Sequence, residues 1–160
     1  MAGGRRQAPA RRLRHPSFTT RHYRGGMAQS ASGEARVEEV ALAAILAVIG
    51  SFQAALAAGA PWGAAAYGGE SPGVLPGRLR TTSAVAAPLY LGAAAAIATP
   101  GTPEALRRGV LWAAAPLLSV GTLANLATPS PIERALWAPT AAAGAALAWR
   151  ALARARRSRA

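Results

Sequence analysis

The sequence contains no cysteine, no lysine and no aspartate, and its two histidines, His15 and His22, both fall in a polar opening stretch. Without cysteine there is no disulfide framework, no thiolate zinc site and no cysteine nucleophile. With no histidine past His22, the apolar remainder lacks the commonest general base and metal ligand. Acids are scarce as well: six Glu stand against 18 Arg, for a net charge of +12 over 160 residues, a length that suits one domain. The expectation is a protein that is not an enzyme and that holds neither cofactor nor metal. Alanine makes up about a quarter of the chain, and with Gly, Arg and Pro it dominates it, a bias that fits GC-rich codons and a bacterial source.

Residues 1–36 hold eight arginines, one glutamate and no apolar run able to bury a face, so this arm is expected to be disordered. Such an arm is a solvated tail or, alternatively, a contact for anionic lipid, worth about 1 kcal/mol per arginine near a charged surface. Nucleic acid is not expected as a partner. Between Pro16 and Gly33 there is neither the apolar core nor the cleavage site of a secretory signal. The Arg5-Arg6 and Arg11-Arg12 pairs lack the apolar run that follows a twin-arginine signal. An organellar transit peptide fits the composition alone. Met27, which follows Arg24-Gly25-Gly26, is an alternative start of translation.

From Val40 the character changes. Residues 40–60 carry no charge and only Ser51 and Gln53 as polar side chains. At ~1.5 Å per residue such a stretch spans about 30 Å, the thickness of bilayer hydrocarbon. Three further spans are expected at 82–98, 103–127 and 131–153, the first and last of these weaker because alanine replaces the larger apolar residues. The alternative is a soluble alanine-rich helical bundle. Three signals favour the membrane. Trp62, Trp112, Trp137 and Trp149 all fall near the expected bilayer boundaries. With four spans, 15 arginines share one side and only Arg78, Arg80 and Arg134 the other, which places both termini in the cytoplasm; starting from Met27 the ratio is still eight to three. Finally, Ser130-Pro131-Ile132-Glu133 reads as a helix start, with an N-cap serine, a proline at the first position and a glutamate able to reach back to the cap N–H. Thr102-Pro103-Glu104 opens the third helix similarly. Pro88, Pro116 and Pro139 each remove a backbone donor, which membrane helices tolerate where neighbours satisfy the freed carbonyl.

Membrane helices associate through small side chains, and the pairs Gly92/Ala96 and Gly144/Ala148 offer close approach. No ionisable residue falls in the middle of a span, which disfavours a proton-coupled carrier. Gln53 and Asn125 lie in the outer halves of parallel spans, where they can hydrogen-bond to each other as interhelical glue or contact a ligand. The longest loop, Pro61 to Arg80, is rich in Gly and Pro and is expected to fold over the outer mouth of the bundle, with Glu70 or Glu133 pairing with Arg78, Arg80 or Arg134. Its functional reading is a shallow pocket for an anionic headgroup or small solute; its plainer reading is a capped loop with solvated charges. The candidate outer-face polar cluster is therefore Gln53, Trp62, Glu70, Arg78, Arg80, Asn125, Glu133 and Arg134.

Ala57-Ala58-Gly59-Ala60-Pro61-Trp62-Gly63, Gly68-Gly69, Leu75-Pro76-Gly77-Arg78-Leu79-Arg80 and the run from Asn125 to Pro139 resemble a family of small bacterial integral membrane proteins with four predicted transmembrane helices. The likeness covers about residues 40–150 and carries no assigned activity; it implies membrane location and four helices. The resulting expectation is an all-α protein of the bacterial inner membrane. It is a four-transmembrane-helix bundle (residues 37–153) between the disordered basic arm (1–36) and a basic cytoplasmic tail (154–160). Its partners are the lipid bilayer, anionic lipid at the arginine-rich termini, and a second copy or another membrane protein. It is read as a non-enzymatic membrane component or binder of lipid or small solute at its outer face, with a small transporter active as an oligomer as the alternative.

Overall fold

The computed structural model describes residues 19–157, with side chains from residue 32 onward. The chain divides into two units, Met1–Gly33 and Glu34–Ala160, and every contact below belongs to the second. Among the described residues the fold is all-helical: α1 (Thr19–Ala58), α2 (Gly77–Ala98), α3 (Glu104–Ala127) and α4 (Ala138–Arg157). A single π-helical turn, Glu133–Trp137, leads into α4. Stretches long and apolar enough to cross a membrane occur in three of these helices, at Ser32–Ala58, Gly77–Ala98 and Glu104–Ala127. The fourth is not among them, because the arginines Arg150, Arg154, Arg156 and Arg157 lower its hydropathy.

Helix α1 carries back to Thr19, so residues 19–36, expected to be unstructured, are helical. Once a long apolar helix is nucleated, each added residue gains a hydrogen bond for one further ordered residue, and polar sequence can ride on its end. The arm's residues 1–18 lie outside the described part, as do the side chains of the arginines expected to meet lipid between residues 5 and 24. At its other end α1 stops at a Schellman turn. Gly59 takes φ 100°, its N–H donates to Leu56 O, and the Ala60 N–H donates to Ala55 O.

The core is built from Leu42 and Leu46 of α1, Ile97 of α2, Leu111 and Leu118 of α3 and Leu152 of α4, with alanines filling much of the seam between them. Gly144 is one of the close contacts expected from the sequence: a Cβ there would sit 3.0 Å from Leu118 Cδ1 and 3.2 Å from Ile45 Cγ2. Gly92 is not, since nothing lies within 4 Å of its Cβ position. The tight crossing of α1 and α2 is made at Gly50, whose Cβ would meet Leu91 Cγ at 2.8 Å. Outward, α2 and α3 present Val85, Leu89, Leu117, Val120 and Leu123, all more than half exposed. A water-soluble bundle turns its largest apolar residues inward, so an exterior of this kind is compatible with lipid as the solvent.

The two ends of the bundle differ. At one end Glu38 pairs with Arg150 and Arg154, and Glu39 takes Arg107 at 2.7 Å. Arg36 donates to Ala98 O at the close of α2, satisfying a terminal carbonyl at the negative end of the helix dipole. Trp112 and Trp149 meet edge to face nearby, with the Arg156 guanidinium 5.1 Å above the Trp112 ring. The other end carries the loop between α1 and α2, and there Phe52 touches both Trp62 and Trp137.

Candidate functional site

The loop is a strap, held from below by apolar anchors and from the side by hydrogen bonds. Ala66 and Leu75 pack on the fully buried Leu56, with Phe52 and Leu79 around them. Two short 3-10 turns, Gly63–Ala65 and Tyr67–Gly69, flank Ala66. Gly63 is fixed by close approach: its N–H donates to Gly73 O at 2.8 Å, and its Cα faces Ser71 O so closely that a Cβ would fall 2.0 Å from it.

Three side chains at the start of the fourth helix then clasp the strap. Ser130 Oγ donates to Ala64 O, Trp137 Nε1 to Ala65 O, and Glu133 Oε1 accepts the Gly68 N–H at 2.7 Å. The expected helix start at Ser130-Pro131 is present, and Ser130 Oγ accepts the Glu133 N–H as an N-cap should. The reciprocal half of that cap differs. Glu133 does not return to the Ser130 N–H, which goes to Thr128 Oγ1; its carboxylate is committed to the loop instead. Thr102 also differs from its expected capping role, its hydroxyl donating to Thr99 O while α3 begins at Glu104.

The π turn has an identifiable cause in Pro139, two residues beyond it. A proline in a regular helix collides with the carbonyl four residues back, here that of Ala135, and cannot donate to it. Widening the preceding turn, with the Ala138 N–H bonding to Glu133 O, relieves this and rotates Glu133 inward, where it is only 5% exposed. Pro139 was thus the available sequence signal for a widened turn, and its reading as a merely tolerated proline missed it.

Tyr67 is the strained element of the strap. Its φ of 52° is the only positive value at a non-glycine among the described residues, and such a conformation for a bulky residue costs about 1–3 kcal/mol. It is retained because the ring reaches inward, its hydroxyl 2.8 Å from Ser83 Oγ, a fully buried group on α2. Tyr67 reads from the sequence as an interface anchor of the loop; nothing there pairs it with Ser83.

Beneath the strap lies a cavity of about 150 Å³, lined by Gln53, Tyr67, Tyr90, Asn125, Glu133 and Trp137 together with apolar side chains of α1, α3 and α4. Gln53 and Asn125 do share this space, as their parallel helices allow, but they are not bonded to each other: Asn125 Nδ2 donates to Gly121 O on its own helix. Gln53 Oε1 is buried without a hydrogen-bond partner among the described residues. A buried, unpaired carbonyl oxygen is costly unless something donates to it.

The remaining members of the expected cluster lie elsewhere. Trp62 is half exposed and stacks at 6.0 Å on Phe52, while Glu70 is on the exposed side of the loop. Arg80 forks onto Ala57 O through Nε and Nη2, closing the carbonyl end of α1. Arg134 donates to Thr128 O, and Arg78 is exposed. No ion pair joins Glu70 or Glu133 to Arg78, Arg80 or Arg134 among the described residues. The reason is local: terminal helix carbonyls and the Gly68 N–H lie nearer than the opposite charges and need partners more. No arginine lines the cavity, whose one charged wall is the Glu133 side chain. The arrangement therefore suits a hydrogen-bond donor or a cation, in place of the anionic headgroup expected from the arginines. No group of His, Asp and Glu able to hold a metal occurs among the described residues. Compared with known proteins, the chain matches no family model, no curated protein and no solved structure.

Proposed function

We propose that this chain is a four-span protein of a bacterial inner membrane, non-enzymatic, whose capped cavity holds a small polar solute or the head of a lipid. The observation that carries the reading is the unpartnered Gln53 Oε1 in a cavity beneath an ordered strap. Polar side chains gathered at one mouth of an otherwise apolar bundle favour a binding component over an oligomeric transporter, which would need a polar stripe along an interface between copies. α4 is read as a fourth span on length and position. With the turn before it, it runs antiparallel to α3 from the strap to the Glu38 end, about as far as its neighbours. The arginine-rich end then faces the cytoplasm by the positive-inside rule.

The absence of cysteine makes the topology directly testable. Glu70→Cys is expected to react with a membrane-impermeant maleimide on intact cells, and Arg157→Cys only after lysis. Reaction of Glu70→Cys and Arg157→Cys alike on intact cells would sink the four-span arrangement. Binding is tested on the purified chain with glycerol and ethanolamine as probes. Gln53→Leu is expected to lose at least tenfold in affinity for both while its melting temperature holds or rises, because an apolar isostere removes an unsatisfied group. Equal affinity in the variant would remove the cavity from the reading.

A further inference from the structure

The polar cavity has a neighbour. A second space of about 460 Å³, three times larger, lies between α2 and α3. Tyr90, Leu117 and Leu118 line both. On α3 the second space runs away from the strap, from Leu118 to Val110, and on α2 it follows one face through Ala86, Leu89, Tyr90 and Ala93 at i, i+3, i+4 and i+7. At ~1.5 Å per residue this is about 12 Å of groove. Apart from the Tyr90 hydroxyl its walls are alanine, valine and leucine, and α3 packs far more closely on α4 than on α2, which leaves the groove open. A volume in this range is typical of a ligand site.

We propose that the ligand is an amphiphile, with a compact head that donates hydrogen bonds in the polar cavity and a single alkyl chain laid in the groove between α2 and α3. The inference rests on the cavity reading above and adds the chain. The head is selected by acceptors: the free Gln53 Oε1 and, as the one charged wall, Glu133. Ammonium and hydroxyl heads satisfy both, whereas a carboxylate or phosphate head places like charge against Glu133 with no arginine to offset it. The chain is selected by adjacency. A head seated at Gln53 shares the wall of Tyr90, Leu117 and Leu118 with the groove, on helices apolar enough to lie in hydrocarbon. A free long-chain amine or alcohol and a phosphate-free acylglycerol of the membrane share this chemistry.

The test uses the full chain in phosphatidylcholine nanodiscs and a dodecylamine carrying a diazirine in its alkyl chain. Photolabel is expected on the peptides of Ala86–Ala93 and Val110–Leu118. Dodecylamine and monododecanoylglycerol should displace it at concentrations at least tenfold lower than dodecanoic acid, and at least tenfold lower than ethanolamine or glycerol. Ala113→Phe, at an exposed position on the groove wall, should abolish the groove label while ethanolamine binds as before; Ala93→Phe repeats this from the opposite wall, each variant being checked by its melting curve. Native mass spectrometry of the chain taken from membranes separates the two sources, a two-chain lipid mass or a single-chain one. Label spread over lipid-facing peptides and unmoved by either variant, with ethanolamine still bound, would overturn the groove and leave the cavity standing. Displacement by dodecanoic acid as readily as by dodecylamine would overturn the donor head. Loss of every probe, short or long, would remove the cavity reading along with this one.

Discussion

Gly63→Ala is expected to release the strap from the bundle. The added methyl would stand 2.0 Å from Ser71 O, 2.9 Å from Gly73 O and 3.0 Å from Leu75 Cδ2, so the clash is with backbone and with an anchor side chain together. Backbone cannot rotate aside as a flexible side chain can. The chain must open between Gly63 and Leu75, giving up the Gly63 N–H bond to Gly73 O and drawing Leu75 off Leu56. The cost should reach or exceed the roughly 1–3 kcal/mol typical of overpacking. Gly73→Ala is the informative comparison. Gly73 sits at φ 95°, where a side chain is strained, yet nothing lies within 4 Å of its Cβ position. That variant should lose only about 1–2 kcal/mol, the cost of a left-handed residue. Hydrogen exchange read by mass spectrometry over residues 63–76 separates the two: fast exchange across the whole strap in Gly63→Ala, a modest local increase in Gly73→Ala. Protection in Gly63→Ala equal to that of the unsubstituted chain would contradict the packing described.

The helices themselves were legible because their signals are local. Three uncharged or nearly uncharged stretches, Ser130-Pro131 at the start of the fourth helix and tryptophans at both ends of the bundle are each set by neighbouring residues. The strap was legible too, in outline: Gly and Pro at turn positions from Pro61 to Arg80 announce an organised loop. Its partners were not. Gly68 and Glu133 are 65 residues apart, and Tyr67 and Ser83 meet across the bundle; no periodicity encodes such pairings. Charge was a misleading guide at this end, because opposite charges in a sequence suggest ion pairs while the folded chain first satisfies helix-end carbonyls and the loop N–H. At the other end charge matters more than the sequence suggested. Glu38 and Glu39 tie α1 to α3 and α4 through Arg107, Arg150 and Arg154. These pairs are partly solvent-exposed, and their contribution is accordingly modest.

Glu133 joins these themes, because one carboxylate both fastens the strap and gives the cavity its charge. The two roles separate by substitution. Glu133→Ala leaves the Gly68 N–H without an acceptor in a buried setting, which costs about 1–3 kcal/mol. It also removes a negative group from the first turn of a helix, worth about 0.3–1 kcal/mol more. Glu133→Gln keeps an oxygen for Gly68 and gives up only the charge, so the strap should stay closed, with a stability loss of about 1 kcal/mol. Exchange of the Gly68 amide should therefore be fast in the alanine variant and close to its original rate in the glutamine variant. If the charge also selects the ligand, Glu133→Gln should weaken dodecylamine at least tenfold and leave monododecanoylglycerol nearly unchanged, whereas Glu133→Ala should weaken both. A glutamine variant that opens the strap as fully as alanine does would mean that charge, and not the hydrogen bond to Gly68, is what holds the loop. A closed strap in the alanine variant would mean that Ser130, Trp137 and the apolar anchors suffice without it.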